Sequence, residues 1–148
     1  MTRERQLEDL LFSHPYLIDP EFDGLAPRRQ VAGGRHRLDL VFETPGGICL
    51  VELKKTPLTL SDLEQLARYC RSWPRQDRSA LAAHHYLVGQ RPANEDPLRR
   101  AATRGEFDIR LRFLGEHVPL RLMWDAEARR YRPFDDDRAA ADYLELKL

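Results

Sequence analysis

Asp39 and, thirteen residues later, Glu52-Leu53-Lys54 supply two carboxylates and an ammonium group from two neighbouring extended segments. Paired carboxylates hold hard divalent cations such as Mg2+ or Mn2+, and a lysine beside them can orient water or balance charge on a phosphoryl group. The chemistry indicated is metal-assisted hydrolysis of a phosphodiester. The first segment, His36-Arg37-Leu38-Asp39-Leu40-Val41-Phe42-Glu43, alternates apolar and polar residues, and Gly46-Gly47 separates it from Ile48-Cys49-Leu50-Val51-Glu52-Leu53-Lys54. The two read as a hairpin. In the second strand Ile48, Leu50, Glu52 and Lys54 share one face, while Cys49, Val51 and Leu53 point to the other. Glu52 and Lys54 therefore project side by side from an otherwise apolar strand. Burying such charges is costly unless they are paired or bind a metal. Asp39 is within reach of Glu52, and the backbone carbonyl of Leu53 offers a further oxygen ligand. The plain alternative is an exposed Glu52–Lys54 pair on an edge strand.

The elements that must position these groups follow a mixed α/β order without internal repeats. A first helix is expected from Arg3 to Ser13, with Leu7, Leu10 and Leu11 as its apolar stripe, ending before Pro15. A strand over Leu25 to Ala32 and a turn at Gly33-Gly34 lead into the Asp39 strand. Ser61-Asp62-Leu63-Glu64 reads as a capping box for a helix that buries Leu63, Leu66, Ala67 and Cys70 and stops near Trp73, with Gln65 and Tyr69 on its polar side. His84 to Gly89 is a strand after a helix, which implies a crossover and a parallel neighbour. A short helix from Asp96-Pro97 to Gly105 comes next. Strands follow around residues 107–113, 118–124 and Tyr131, and a C-terminal helix over about 137–146 completes the chain.

Composition limits the function classes. The 148 residues suit a single domain, with a core over 1–90 and a helix and β extension over 91–148. Hydrophobic content of 42% and charged content of 32% are those of a soluble globular chain. No apolar run approaches the roughly 20 residues of a membrane span, and the polar N-terminus is no signal peptide, so a cytoplasmic protein with no membrane partner is expected. Cys49 and Cys70 lack paired spacing and read as buried free thiols. The net charge of zero argues against a nucleic-acid coating protein. Yet Arg28, Arg29, Arg35, His36, Arg37, Lys54 and Lys55 crowd the third of the chain that holds the acidic pair, whereas Asp135-Asp136-Asp137 lie elsewhere. That distribution suits a phosphodiester substrate. The adjacent His84 and His85 point to opposite strand faces and cannot easily share a metal. Ser13-His14 lacks a third partner, and no GxxxxGK[ST] phosphate loop is present.

With these residues in place the chain resembles the PD-(D/E)xK nuclease superfamily, and within it the catalytic domain of NucS-like endonucleases. The resemblance is carried by Glu4-Arg5-Gln6-Leu7 leading to His14-Pro15, Arg37-Leu38-Asp39, Val51-Glu52-Leu53-Lys54, and Gln65 followed four residues later by Tyr69; it spans roughly residues 3–90. The resemblance implies a restriction-endonuclease-like α/β (α+β) fold, a mixed sheet flanked by helices with core order αβββαβ plus C-terminal strands. It also implies a Mg2+- or Mn2+-dependent endonuclease acting on DNA. Asp39 and Glu52 would be metal ligands together with the Leu53 carbonyl, Lys54 the catalytic lysine, Glu4 an accessory acid and Gln65 a catalytic helix residue. Glu8, one turn from Glu4, is the alternative accessory acid. Arg35, Arg37, Lys55, Arg68 and Tyr69 are the expected DNA contacts.

The chain is expected to depart from that family by lacking the N-terminal DNA-binding and dimerisation domain, so substrate preference is not expected to carry over. A separate targeting partner is one expectation, and a homodimer is another, since cutting both strands needs two sites. The rival from a different class is a catalytically inert DNA- or protein-binding module of the same fold; a nuclease acting on RNA is a third reading, because no 2′-hydroxyl reader is evident.

Overall fold

The computed structural model describes residues 3–33, 36–73, 80–114, 122–125, 127 and 130–133. The hairpin is its centre: β2 (His36–Thr44) pairs antiparallel with β3 (Gly47–Pro57), Thr44 facing Gly47 across the turn. Gly47 has φ 123°, and a Cβ there would run into the backbone of Ala80 and Leu81. Only glycine meets both demands.

β1 (Arg28–Gly33) adds antiparallel to β2. α2 (Leu60–Ser72) then carries the chain to β4 (His84–Gln90), parallel to β3 with Val51 opposite Tyr86. α3 (Asp96–Arg104) leads to β5 (Asp108–Leu114), parallel to β4, and β6 (Leu122–Asp125) and β7 (Arg130–Pro133) extend the sheet antiparallel. Among the described residues the strand order is β1-β2-β3-β4-β5-β6-β7. The expected α/β order αβββαβ with C-terminal strands is present.

Both faces of the central strands are covered. α1 (Arg3–Ser13) and two 3-10 turns, Pro15–Leu17 and Pro20–Phe22, set Leu7, Leu11, Ile18 and Phe22 against Phe42, Val51 and Leu53. Phe22 stacks on Phe42 with ring centroids 4.2 Å apart. On the other face α2 and α3 pack Leu63, Leu66, Cys70 and Leu98 against Leu50, Leu87 and Leu111. Each such side chain contributes about 1.5–3 kcal/mol on burial. Parallel strands covered on both sides read as near-continuous apolar runs, so a Glu or His within β3 or β4 has little access to water. This packing carries Glu52 and His85 into the interior.

Several local expectations are corrected. β1 starts at Arg28 rather than Leu25: Pro27 holds its predecessor out of the ladder, and the Leu25 N–H closes a turn on the Phe22 carbonyl at 3.0 Å. The N-cap of α2 is Thr59, not Ser61. Its hydroxyl accepts the Asp62 N–H at 3.2 Å while the Asp62 carboxylate accepts the Thr59 N–H at 2.9 Å, a closed capping box. Tyr69, expected on a polar helix face, is buried with Leu66 and Cys70, because α2 lies close enough to β3 to enclose it. The strand expected over 118–124 is described only from Leu122, and the C-terminal helix falls outside the described residues. Cys49 and Cys70 are buried free thiols.

His85 is completely buried, and its Nδ1 accepts the Leu50 N–H at 3.0 Å, continuing the β3–β4 pairing by a side chain. Burial, and secondarily the neighbouring His84, lowers its pKa from 6.5 to about 4. The unfolded chain therefore takes up this proton before the folded chain does, and stability is lost as pH falls from about 6.5 to 4. The full contribution is on the order of 3 kcal/mol. Chemical denaturation across this range should show the loss, and His85→Asn, which keeps an acceptor without a titrating ring, should flatten the slope.

Candidate active site

The β2–β3 ladder ends with Leu40 opposite Val51, one step before Asp39 and Glu52 would face each other. There the Asp39 side chain takes over: its Oδ2 accepts the Leu53 N–H at 2.8 Å. On the other side of β3 the parallel ladder with β4 shifts between Leu53 and Pro57. Lys54 and Lys55 lie within that irregularity, where a strand bends and re-aims its side chains. The site thus occupies the point at which β3 loosens its pairing on both edges.

Glu52 is only 4% exposed. Burial is the main force raising its pKa, from 4.5 to about 10, and the hydrogen bond and charge of Asp39 push the same way; Lys54 and a hydrogen bond from Tyr69 oppose the shift. Without a cation the pair is most stable holding one proton between its two carboxyl groups. Tyr69 answers in kind: burial first, then the Glu52 charge, raises its hydroxyl to about 12, so it stays a donor to Glu52.

Lys54 Nζ donates to Gln65 Oε1 at 3.1 Å, which fixes the ammonium group beside Glu52. Asp39, Glu52, Lys54, Gln65 and Tyr69 are therefore brought together. Arg37, Lys55 and Arg68 are exposed, and the Arg68 charge is felt by the Tyr69 hydroxyl. Arg28 and Arg29 are engaged within the protein: Arg28 with Glu43 at 3.7 Å, and Arg29 with Glu8 at 3.3 Å and with Asp9. Arg35 lies outside the described residues, and Glu4 is placed on α1 with its side chain outside them.

The acid that α1 delivers is Glu8, 3% exposed. It reaches Asp39 through Gln30, whose Nε2 donates to Glu8 Oε1 at 3.3 Å and to Asp39 Oδ1 at 3.1 Å. Sequence reasoning missed Gln30. The signal available was a polar amide inside a strand pattern, opposite Asp39 if the two strands are paired. Among the described residues no three carboxylate, histidine or cysteine side chains converge into a metal cage. The donors at hand are the Asp39–Glu52 pair, an arrangement that suits a cation which keeps several of its waters, as Mg2+ does.

No protein-family model matches the chain, and no curated protein matches it. Solved structures do. The chain is similar to a repair endonuclease from Pyrococcus abyssi, with 20% identity and a TM-score of 0.59 over 77% of this chain and 47% of that one. It is also similar to EndoMS from an EndoMS–double-stranded DNA complex, with 22% identity and a TM-score of 0.57 over 75% of this chain and 45% of that one. The chain has the restriction-endonuclease-like fold of the NucS nucleases. It spans about half the length of these structures. Among the described residues no helix of the restriction-endonuclease-like domain is long and apolar enough to cross a membrane.

The trapped proton has a cost to stability. With the folded pKa of Glu52 near 10 and the unfolded value near 4.5, the folded state binds the extra proton throughout that window, and stability falls as pH rises through it. Glu52→Gln, a neutral near-isostere, should stabilise the metal-free protein at pH 8 by about 1–3 kcal/mol, a Tm rise of several degrees. The gain should shrink toward pH 5. Differential scanning calorimetry at the two pH values checks both statements.

Proposed function

We propose that this domain is a metal-dependent endonuclease that hydrolyses DNA phosphodiester bonds at the Asp39–Glu52–Lys54 site. The observation that carries the reading is the carboxyl pair itself. A buried Glu52, pushed up to about 10 beside the half-buried Asp39, forms a place where a cation in exchange for the proton is the favourable outcome. The donor set fits Mg2+ or Mn2+, with Asp39, Glu52 and the Leu53 carbonyl as the ligands. When bound, such an ion supplies positive charge to the scissile phosphate and lowers the pKa of its water.

The remaining steps fall to the chain's own residues. Asp39, tied through Oδ2 to the Leu53 N–H, presents its other oxygen, Oδ1, in a fixed direction. Lys54, anchored by Gln65, donates to the attacking water or to the phosphate oxygen on which charge builds in the transition state. Tyr69 holds the Glu52 carboxylate by donating its hydroxyl proton as a hydrogen bond. Arg37, Lys55 and Arg68, exposed near the same residues, engage the flanking phosphates and position the strand. DNA is the proposed substrate, in keeping with the double-stranded DNA of the EndoMS complex. Cleavage of both strands would call for a homodimer, or for a separate partner that supplies targeting.

In a panel of labelled duplex, mismatched, branched and single-stranded DNAs with Mg2+ or Mn2+, the wild type should cut. Asp39→Asn and Lys54→Ala should each lose about 10²–10³-fold or more of that rate with unchanged circular dichroism. Full activity in either variant discards the site assignment. A wild type that neither cuts nor binds Mn2+ through Asp39 and Glu52 is the inert binding module instead.

A further inference from the structure

Gln30 has φ +50°, the sole positive value at a non-glycine residue among the described residues. An L side chain there is strained, and such strain persists where surrounding structure enforces it. No turn demands it. The pairing of β1 with β2 keeps one register on either side, with Arg29 opposite Leu40 and Val31 opposite Leu38. The residue that register sets against Gln30 is Asp39, and at this one step the ladder is interrupted.

The strained backbone is matched by what the side chain does. Gln30 Nε2 donates to Asp39 Oδ1 at 3.1 Å and to Glu8 Oε1 at 3.3 Å. An amide nitrogen carries two hydrogens, so it can satisfy two carboxylates at once; the amide oxygen in its place would repel both. Asp39 is thereby held from two sides, by the Gln30 amide on Oδ1 and by the Leu53 N–H on Oδ2. Glu8 is held in turn by the Arg29 guanidinium, which also lies over the Phe12 ring. The link joins α1, β1 and β2 at the carboxyl pair.

We propose that Gln30 is a positioning residue of the active site: its left-handed backbone aims one amide nitrogen between Glu8 and Asp39 and so fixes the direction of the Asp39 carboxylate. The consequence for cation binding rests on the nuclease reading; the orientation of Asp39 does not. A residue kept only for packing would serve better as a regular strand residue, and one kept only for the backbone turn would serve better as glycine.

Gln30→Gly separates these roles, since it relieves the strain and removes the amide together. The expected result is a metal-free Tm equal to or above that of the wild type, while the Leu53 amide proton loses hydrogen-exchange protection by NMR. Mn2+ affinity, measured by calorimetric titration, should fall 10–100-fold, the usual effect of removing a ligand's hydrogen-bond partner. In cleavage, kcat should fall more than KM rises. Gln30→Asn keeps an amide on a residue that tolerates this backbone and should recover part of the Mn2+ affinity. An unchanged Leu53 amide with unchanged Mn2+ binding overturns the proposal, and so does a Gln30→Gly protein that loses stability in step with affinity. If the wild type binds no Mn2+ the nuclease reading fails on its own, and the Leu53 amide alone then decides: lost protection supports the positioning role, and retained protection removes it.

Discussion

A carboxyl group held inside a sheet that is covered on both faces is the constraint around which this structure is arranged. Glu52 stands in β3 between apolar neighbours, with α1 packed over one face and α2 over the other. A lone carboxylate in such a place would be strongly disfavoured. It persists because Asp39 shares its proton, Tyr69 donates to it and Lys54 lies close by. Asp39 is in turn occupied by a backbone N–H and by the Gln30 amide. The partners are drawn from four elements, so the site exists only when β1, β2, β3 and α2 are all in place.

The charged groups divide into those that close on themselves and those that stay available. On the opposite side of the sheet Arg112, 3% exposed, donates from Nε to the Ile18 carbonyl at 2.6 Å, pairs with Glu127 and lies over the Tyr86 ring at 4.9 Å. Tyr86 itself donates to Asp19. That network ties a 3-10 turn to β4 and β5, and its polar groups are matched within the protein. At the Asp39–Glu52 pair the balance differs. Two acids share one proton, and Arg37, Lys55 and Arg68 are exposed, with Arg68 acting on the Tyr69 hydroxyl. A matched network rigidifies a fold; the acid pair, held together through a proton, is where the proposed cation would enter.

Irregular backbone collects at the same place. The β2–β3 ladder stops short of Asp39, the β3–β4 ladder slips after Leu53, and Gln30 departs from strand geometry. Regular pairing would have turned these backbone groups toward neighbouring strands. Interrupting it frees the Leu53 N–H for a carboxylate and lets β3 diverge where Lys54 must emerge. The stability given up in the ladder is regained in the apolar layers on either side, where Phe22, Phe42, Leu66 and Leu87 are almost wholly buried.

Much of this was legible in the residue order. The hairpin at Gly46-Gly47, the two-faced β3, the crossover into β4 and the Asp39, Glu52 and Lys54 constellation follow from period-two alternation, turn residues and helix spacing, which are local properties of the chain, while Gln65 joins them through the family resemblance. Local chemistry also allowed errors of a residue or two, as at Thr59, where two overlapping box-like patterns competed for one helix start. What the sequence by itself determined was therefore which groups lie on the central hairpin and which face of it they share. Tertiary packing alone decided that Tyr69 is buried against Glu52, that Glu8 reaches Asp39 through Gln30, and that Arg29 is paired with Glu8 inside the protein rather than left for a ligand. Each of those outcomes joins elements distant in sequence, and burial and charge pairing depend on what surrounds a side chain in space, which no local spacing encodes.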